Sequence, residues 1–216
     1  MTGLGQGAHA EFVAVRADRL ARTPTNVSDD DAAGVLFGGT SALFFLRDKV
    51  RVGPGSSILV HGAAGAVGTN AVQLARRFGA RVTAVTSGGN DELVRRLGAA
   101  DVIDYTTVAL DAASARFDIV FDAVGNLTIA SGRRLLRPGG TLVLAAATLG
   151  QTLRARGDIV AGTAPERVAD FEFLLQLVAS RELTVVHDLA VPLAAIVDAY
   201  RRVDTGHKRG NVLVRL

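Results

Sequence analysis

The sequence predicts an α/β fold: a doubly wound parallel sheet of six strands with helices on both faces, plus smaller pieces at the two chain ends. Three observations predict it. Short apolar runs alternate with amphipathic helical stretches along most of the chain, the pattern of repeated βαβ units. A glycine-rich turn, Gly62 to Gly68, joins one such run to a helix. Hydrophobic residues make up 49% of the 216 positions, enough to bury a sheet on both sides.

The elements follow in order. Ser28-Asp29-Asp30-Asp31 reads as an N-cap with acids in the first turn, opening a helix that runs towards Arg47. Gly53-Pro54-Gly55 is a turn, and Ser57 to His61 a buried strand. The next helix carries Val67, Ala71, Leu74, Ala75 and Phe78 at helical spacing and stops at Gly79. Arg81 to Thr86 is the second strand; Asn90 caps a helix that ends at Gly98. Strands are predicted at 102–105, 118–122 and 141–144, with a helix through Leu135-Leu136 between the last two, closed by Pro138-Gly139-Gly140. Asp158 to Ala161 is a sixth strand. Thr163 with Glu166 forms a capping box, with Pro165 in the first turn, and opens a helix through Phe171, Leu174, Leu175 and Val178. Outside the alternation, residues 8 to 27 read as a strand (Phe12 to Val15) and a turn. Residues 183 to 216 give strand, helix (Leu193, Ile196, Val197, Tyr200) and strand (Val212 to Val214).

Composition excludes several classes. No cysteine occurs, which removes a disulfide scaffold, a thiolate zinc site, an iron–sulfur cluster and a cysteine nucleophile. No apolar stretch reaches the roughly 18 residues of a membrane span, and Met1 to Gly7 lacks the regions of a signal peptide, so a cytoplasmic protein away from membranes is expected. The net charge of +3 comes from scattered arginines, in pairs near helix ends (76–77, 95–96, 133–134, 201–202) where cations suit the macrodipole. A nucleic-acid surface wants a contiguous basic stripe with aromatics, and aromatics are 5% of this chain; no nucleic-acid partner is expected.

Chemistry concentrates in Ile58-Leu59-Val60-His61-Gly62-Ala63-Ala64-Gly65-Ala66-Val67-Gly68. A strand that enters a glycine turn opening a helix is the context of a Rossmann phosphate-binding turn. Gly62 permits the sharp exit, Gly65 lets backbone approach a pyrophosphate at the helix N-terminus, and Gly68 allows close helix–strand packing. The second strand ends in Thr86-Ser87-Gly88-Gly89-Asn90, without the acid that would hold the ribose 2′-hydroxyl of NAD; a hydroxyl followed by glycines leaves room for a 2′-phosphate and favours NADP. His61 and His207 have no ligand partner at metal spacing, and no metal is expected. Leu136 to Leu142 shares features with the late strand turn of S-adenosylmethionine methyltransferases, but these too want an acid where Thr86-Ser87 stands.

Five stretches, in order, carry a resemblance: Leu36 to Leu43, Gly62 to Gly68, Leu97 to Tyr105, Phe117 to Gly125 and Gly206 to Val212. Together they resemble the zinc-free, quinone-oxidoreductase-like branch of the medium-chain dehydrogenase/reductases, over nearly the whole chain from about residue 8. The resemblance implies NADPH-dependent hydride transfer to a quinone, enone or other activated double bond. It implies that Gly62, Gly65, Ala66, Val67 and Gly68 hold the pyrophosphate, and that Ser87 and Tyr105 lie around the adenosine ribose and its phosphate. Val124 and Gly125 would lie beside the cofactor's ribose, Thr40 near the nicotinamide, and Lys208 and Asn211 on a C-terminal loop facing the cofactor. A basic residue that often follows the serine is replaced by Gly88-Gly89. The family also carries an N-terminal GroES-like barrel. The resemblance therefore divides the chain into a barrel remnant (1–27), a Rossmann domain (28–182) and a segment returning to the remnant (183–216). It further implies a homodimer through the sixth strand and slow turnover at an open site. The alternative is a nucleotide-binding module without efficient catalysis.

Overall fold

The computed structural model describes residue 10, residues 12–110 and residues 115–216. The readings made on Met1 to Gly7, and on Ala8, His9 and Glu11, lie outside the described residues. Six parallel strands form one sheet in the order β3-β2-β1-β4-β5-β6: β1 (Ser57–His61), β2 (Arg81–Thr86), β3 (Asp101–Asp104), β4 (Phe117–Asp122), β5 (Leu136–Leu144) and β6 (Ile159–Ala161). The chain lays down three strands outward from β1, then returns to place β4 on its other side. That reversal opens a crevice at the carboxyl ends of β1 and β4.

Each central strand is buried on both faces, so successive side chains enter different cores. Ile58 and Val60 join the core beneath α1 (Asp29–Leu43), α2 (Ala66–Arg77), α3 (Asp91–Arg96) and α6 (Val168–Ala179). Leu59, between them, joins the opposite core with Val120, Leu142, Leu144, Leu127 and Leu135, on the side of α4 (Ile129–Arg134); a short helix α5 (Leu149–Arg154) links β5 to β6. Ser28 caps α1 as its sequence suggests, its Oγ accepting the Asp31 N–H at 3.1 Å. The helix continues into a π-helical turn, Phe44–Lys49. The four arginine pairs fall in the last turns of α2, α3, α4 and α7 (Ile196–Asp204).

The C-terminal segment forms a second sheet of two parallel strands, β7 (His187–Pro192) and β8 (Asn211–Arg215), connected through α7. It docks on α1: His187 Nε2 lies 2.8 Å from Asp31 Oδ1 and Arg215 Nη2 donates to Asp30 Oδ2 at 2.5 Å.

Four expectations need correction. Residues 12–16 form no strand, since Phe12 to Val15 find no strand partner among the described residues; Phe12 is 89% exposed, and a 3-10 turn, Ala17–Arg19, follows. The helix expected through Leu135-Leu136 ends at Arg134, and Leu136 already pairs with Phe117 of β4. The capping box at Thr163 does not form. Helix α6 starts at Val168, where Arg167 and Asp170 meet Arg47 and Asp48: the Asp170 carboxylate, 6% exposed, accepts from Arg47 at 2.7 Å, and Arg167 donates to Asp48 at 2.6 Å. Charge pairing sets this helix start in place of a hydroxyl cap. Asn90 stands at the start of α3 without capping it; its Nδ2 donates to Thr86 Oγ1 at 3.2 Å and Ser87 Oγ at 3.0 Å.

Helix α2 sits unusually close to the end of β1. A Cβ on Gly68 would lie 2.1 Å from the Gly62 carbonyl oxygen, which is backbone and has nowhere to go. Gly68→Ala should therefore lower the free energy of unfolding by about 1–3 kcal/mol or more, the cost of overpacking a close contact. A urea titration checks this, with a fall in midpoint at unchanged slope as the expected result.

Candidate functional site

The cleft at the switch point is built from strand ends. His61, Thr86 and Asp122 close β1, β2 and β4 on one edge of the sheet. The turn after β1 is fixed by its own backbone: the N–H groups of Gly62 and Ala63 both donate to the Val85 carbonyl at 3.1 Å, and Gly65 N–H donates to the Gly62 carbonyl at 3.0 Å. Gly62 has φ +78, and a side chain there would strike Val124 Cγ2 at 2.4 Å. Gly65, the N-cap of α2, differs. Its φ of −79 and ψ of 174 suit any residue, and an added Cβ would meet nothing closer than the Gly62 oxygen at 3.5 Å. No side chain caps α2, so its first N–H groups face the cleft side of the turn without a capping oxygen.

The far wall is the turn after β4. Asp122 is fully buried and works as its organiser: Oδ1 accepts the N–H groups of Val124 at 2.9 Å and Gly125 at 3.0 Å, and Oδ2 that of Leu127 at 3.1 Å. His61 Nδ1 lies 3.1 Å from Asp122 Oδ1 and ties the ends of β1 and β4 together. Burial pushes the Asp122 carboxyl up, but the hydrogen bonds from His61 and from the N–H groups of Gly125 and Val124 outweigh it and hold the group below the usual carboxylate range.

The C-terminal loop closes a third side. Gly210 N–H donates to the Ala64 carbonyl at 2.7 Å, and Gly65 and Gly210 form an isolated parallel bridge. Lys208 Nζ donates to the Gly210 carbonyl at 2.6 Å. Burial pushes its ammonium down, the charge of Asp188 opposes this, and that of Arg202 adds to it.

The resulting cavity, about 530 Å³, is lined by Gly62, Gly65, Ala66, Val67, Gly68, Ser87, Tyr105, Val124 and Lys208 among others. Nine of the twelve residues singled out from the sequence thus share one cleft. Gly125 stands in the wall behind them with φ +86, its N–H on Asp122. Two stand apart. Thr40 turns its hydroxyl back onto the Leu36 carbonyl at 2.6 Å, and Asn211 gives its side-chain amide to the Val186 carbonyl at 2.9 Å, in the joint between β7 and β8. Neither lines the cavity. Sequence reasoning missed Phe37, Asn126, Val203 and His207, which do line it, and the organising role of Asp122. His61 carried a signal, as the residue entering the glycine turn. Phe37 lies inside the stretch Leu36 to Leu43 that carries the resemblance, and Val203 in the last turn of α7; neither has a local signal of its own.

The chain has no cysteine, and among the described residues no three His, Asp or Glu side chains gather into a ligand set. His61 and His187 are already directed onto Asp122 and Asp31. Among those residues, too, no helix is long and apolar enough to cross a membrane.

A doubly wound sheet with a glycine turn at its switch point, and a C-terminal loop bonded onto that turn, defines the nucleotide-binding domain of a medium-chain dehydrogenase/reductase. The chain belongs to the zinc-binding dehydrogenase family, whose sequence profile matches residues 97–214. It is 32% identical over 237 residues to the pikromycin polyketide synthase component PikAII of Streptomyces venezuelae, covering 99% of this chain and 6% of that protein. It is 32% identical over 212 residues to the 2-methylene-furan-3-one reductase of Solanum lycopersicum, covering 96% of this chain and 52% of the reductase. Among solved structures, the quinone oxidoreductase from Coxiella burnetii superposes with a TM-score of 0.82 at 26% identity, covering 90% of this chain and 63% of the other. A mycobacterial protein complexed with NADPH superposes with a TM-score of 0.73 at 27% identity, covering 90% and 67%. The chain thus spans roughly half to two thirds of the stand-alone enzymes it resembles, and a small part of the synthase.

The Asp122 network gives a prediction with a defined sign. A carboxyl held below its unfolded value contributes stability that is present above the unfolded pKa, about 3.9, and lost as pH falls through the folded one. Asp122→Asn keeps the shape but cannot accept from all four donors as a charge. It should cost about 1.5–3 kcal/mol at pH 7 and flatten the acid limb of stability against pH. Urea midpoints of both proteins between pH 3 and 7 check it: parallel curves would contradict it.

Proposed function

We propose that this chain binds NADPH across the glycine turn and acts as an oxidoreductase on a quinone, enone or similarly activated double bond, without a metal. The observation that carries the reading is Gly65. Its backbone is unstrained and a side chain there would make only an ordinary contact with the Gly62 oxygen at 3.5 Å, so folding gives no reason for glycine there; close approach of a pyrophosphate to the backbone does. The names of the relatives, a furanone reductase, a quinone oxidoreductase and a protein complexed with NADPH, support the same chemistry.

Each wall has a task in this reading. Gly65 and the uncapped first turn of α2 receive the pyrophosphate charge on N–H groups and the positive end of the helix. Val124, half-exposed on a turn that Asp122 immobilises, gives the ribose an apolar wall. Ser87 and Tyr105 bound the adenosine end, and Lys208 adds a cation beside the turn. When bound, NADPH supplies a hydride. The chain's contribution is to fix its orientation and exclude water, which is what hydride transfer chiefly requires of a protein. Thr40 on α1, towards the nicotinamide end, and Asn211 on the C-terminal loop facing the cofactor remain in the proposal. The edge of β6, free on its outer side in the sheet order, is where a second copy would pair. A binding module with little turnover is the second reading, favoured by the chain's spanning only 52% of the furanone reductase and 63% of the quinone oxidoreductase. Steady-state oxidation of NADPH with a simple quinone separates the two.

Two substitutions test the binding mode. Gly65→Val should leave the circular dichroism spectrum intact while weakening NADPH at least tenfold by calorimetry; undiminished affinity in the folded variant would refute the pyrophosphate site. Ser87→Asp places a carboxylate at the adenosine end, and should invert the ratio of NADPH to NADH affinity. An unchanged ratio would move the 2′-phosphate away from Ser87.

A further inference from the structure

We propose that Arg209 determines the preference for a 2′-phosphorylated dinucleotide, supplying from the C-terminal loop the positive charge that the turn after β2 lacks. The inference rests on the dinucleotide reading above. The adenosine end of the cleft is bounded by Ser87, Asn90 and Tyr105, and the turn Ser87-Gly88-Gly89 carries no cation of its own. Arg209 Nη2 nevertheless donates to the Gly89 carbonyl at 2.9 Å, across 120 residues of sequence.

Three features make this more than a passing surface contact. First, the backbone that carries Arg209 is held, because its neighbour Gly210 donates to Ala64 and Asn211 to Val186. Second, the guanidinium lies directly against the turn: a Cβ on Gly89 would stand 3.6 Å from Nη2, at ordinary van der Waals distance. Third, the guanidinium is not neutralised. It forms no ion pair with a described carboxylate, whereas nearby Arg202 is gripped by both oxygens of Asp188 at 2.5 and 3.1 Å. One N–H is spent on Gly89, and the rest of the planar fork stays available, which matches the geometry of a phosphate.

An opposing charge makes Arg209 decisive. Asp104, at the end of β3, lies beneath the same turn, its Oδ2 2.5 Å from where a Gly88 Cβ would stand. Hydrogen bonds from the Thr106 hydroxyl, the Thr106 N–H and the Gly88 N–H hold this carboxyl below its ordinary range, so it is ionised at neutral pH. With Arg209 the turn carries one charge of each sign. Without it the carboxylate remains, which repels a 2′-phosphate and tolerates a 2′-hydroxyl.

Calorimetric titration of the wild-type chain, Arg209→Ala, Arg209→Lys and Arg209→Glu with NADPH, NADH, 2′,5′-ADP and 5′-AMP tests the assignment without relying on turnover. Arg209→Ala should weaken NADPH and 2′,5′-ADP tenfold or more and leave NADH and 5′-AMP within twofold. Arg209→Glu should extend the loss, and Arg209→Lys should restore part of it. Equal weakening of all four ligands would show that Arg209 merely holds the loop, and unchanged affinities would show that it does nothing; either overturns the proposal while leaving the dinucleotide reading intact. A wild-type chain that binds neither dinucleotide would overturn both.

Discussion

Everything at the cleft depends on how closely α2 rests on the end of β1. Glycine at 68 lets the first turn of the helix press against the Gly62 carbonyl at a distance no side chain would permit. That contact aims the helix N-terminus across the switch point and leaves the turn between them short, with Gly65 at its tip. Gly38 of α1 makes a similar approach from the other side, where a Cβ would lie 2.2 Å from the Ala66 carbonyl. The start of α2 is clamped between a strand end and a second helix, and the first N–H groups it presents are held rigidly.

Around that fixed point, two separate parts of the chain are drawn in by hydrogen bonds rather than by apolar packing. Asp122 gathers three backbone N–H groups and His61 into one buried knot, which shapes the turn after β4. Gly210 bonds to Ala64 and brings the C-terminal loop over the glycine turn, with Lys208 and Arg209 on it. A buried carboxylate is costly unless its hydrogen bonds are complete, and here they are, so the knot is both rigid and intolerant of change. The cleft is therefore assembled from the ends of β1, β2, β3 and β4, from α1 at Phe37 and from the last fifteen residues. A dinucleotide spanning it would touch segments far apart in sequence.

How much of this was legible in the sequence follows from the range of each interaction. Short parallel strands appear as runs dominated by apolar residues between turn signals, so β1, β2, β4 and β6 are read to within a residue or so. The glycine turn is local and its strand–turn–helix context is explicit. The errors share one cause, a tertiary contact overriding a local signal. Phe12 to Val15 have strand propensity but no strand partner among the described residues, Leu136 leaves its helix to pair with Phe117, and α6 starts at an ion cluster rather than at Thr163. At the site, Asn211 is expected on the C-terminal loop facing the cofactor, and its Nδ2 donates to the Val186 carbonyl, a contact with no local signature. The Arg209–Gly89 contact had no local signature at all; its one trace was the missing basic residue it compensates.

The central claim is that one dinucleotide-binding cleft is formed by the glycine turn, the turn after β4 and the C-terminal loop together. The most direct measurement is a residue-resolved NMR titration of the wild-type chain with NADPH. The account predicts saturable amide shifts with one common affinity in three segments, Gly62 to Gly68, Val124 to Gly125 and Gly206 to Gly210. Shifts confined to another surface, such as that of Arg133 and Asp158, or no saturable shift at all, would contradict it.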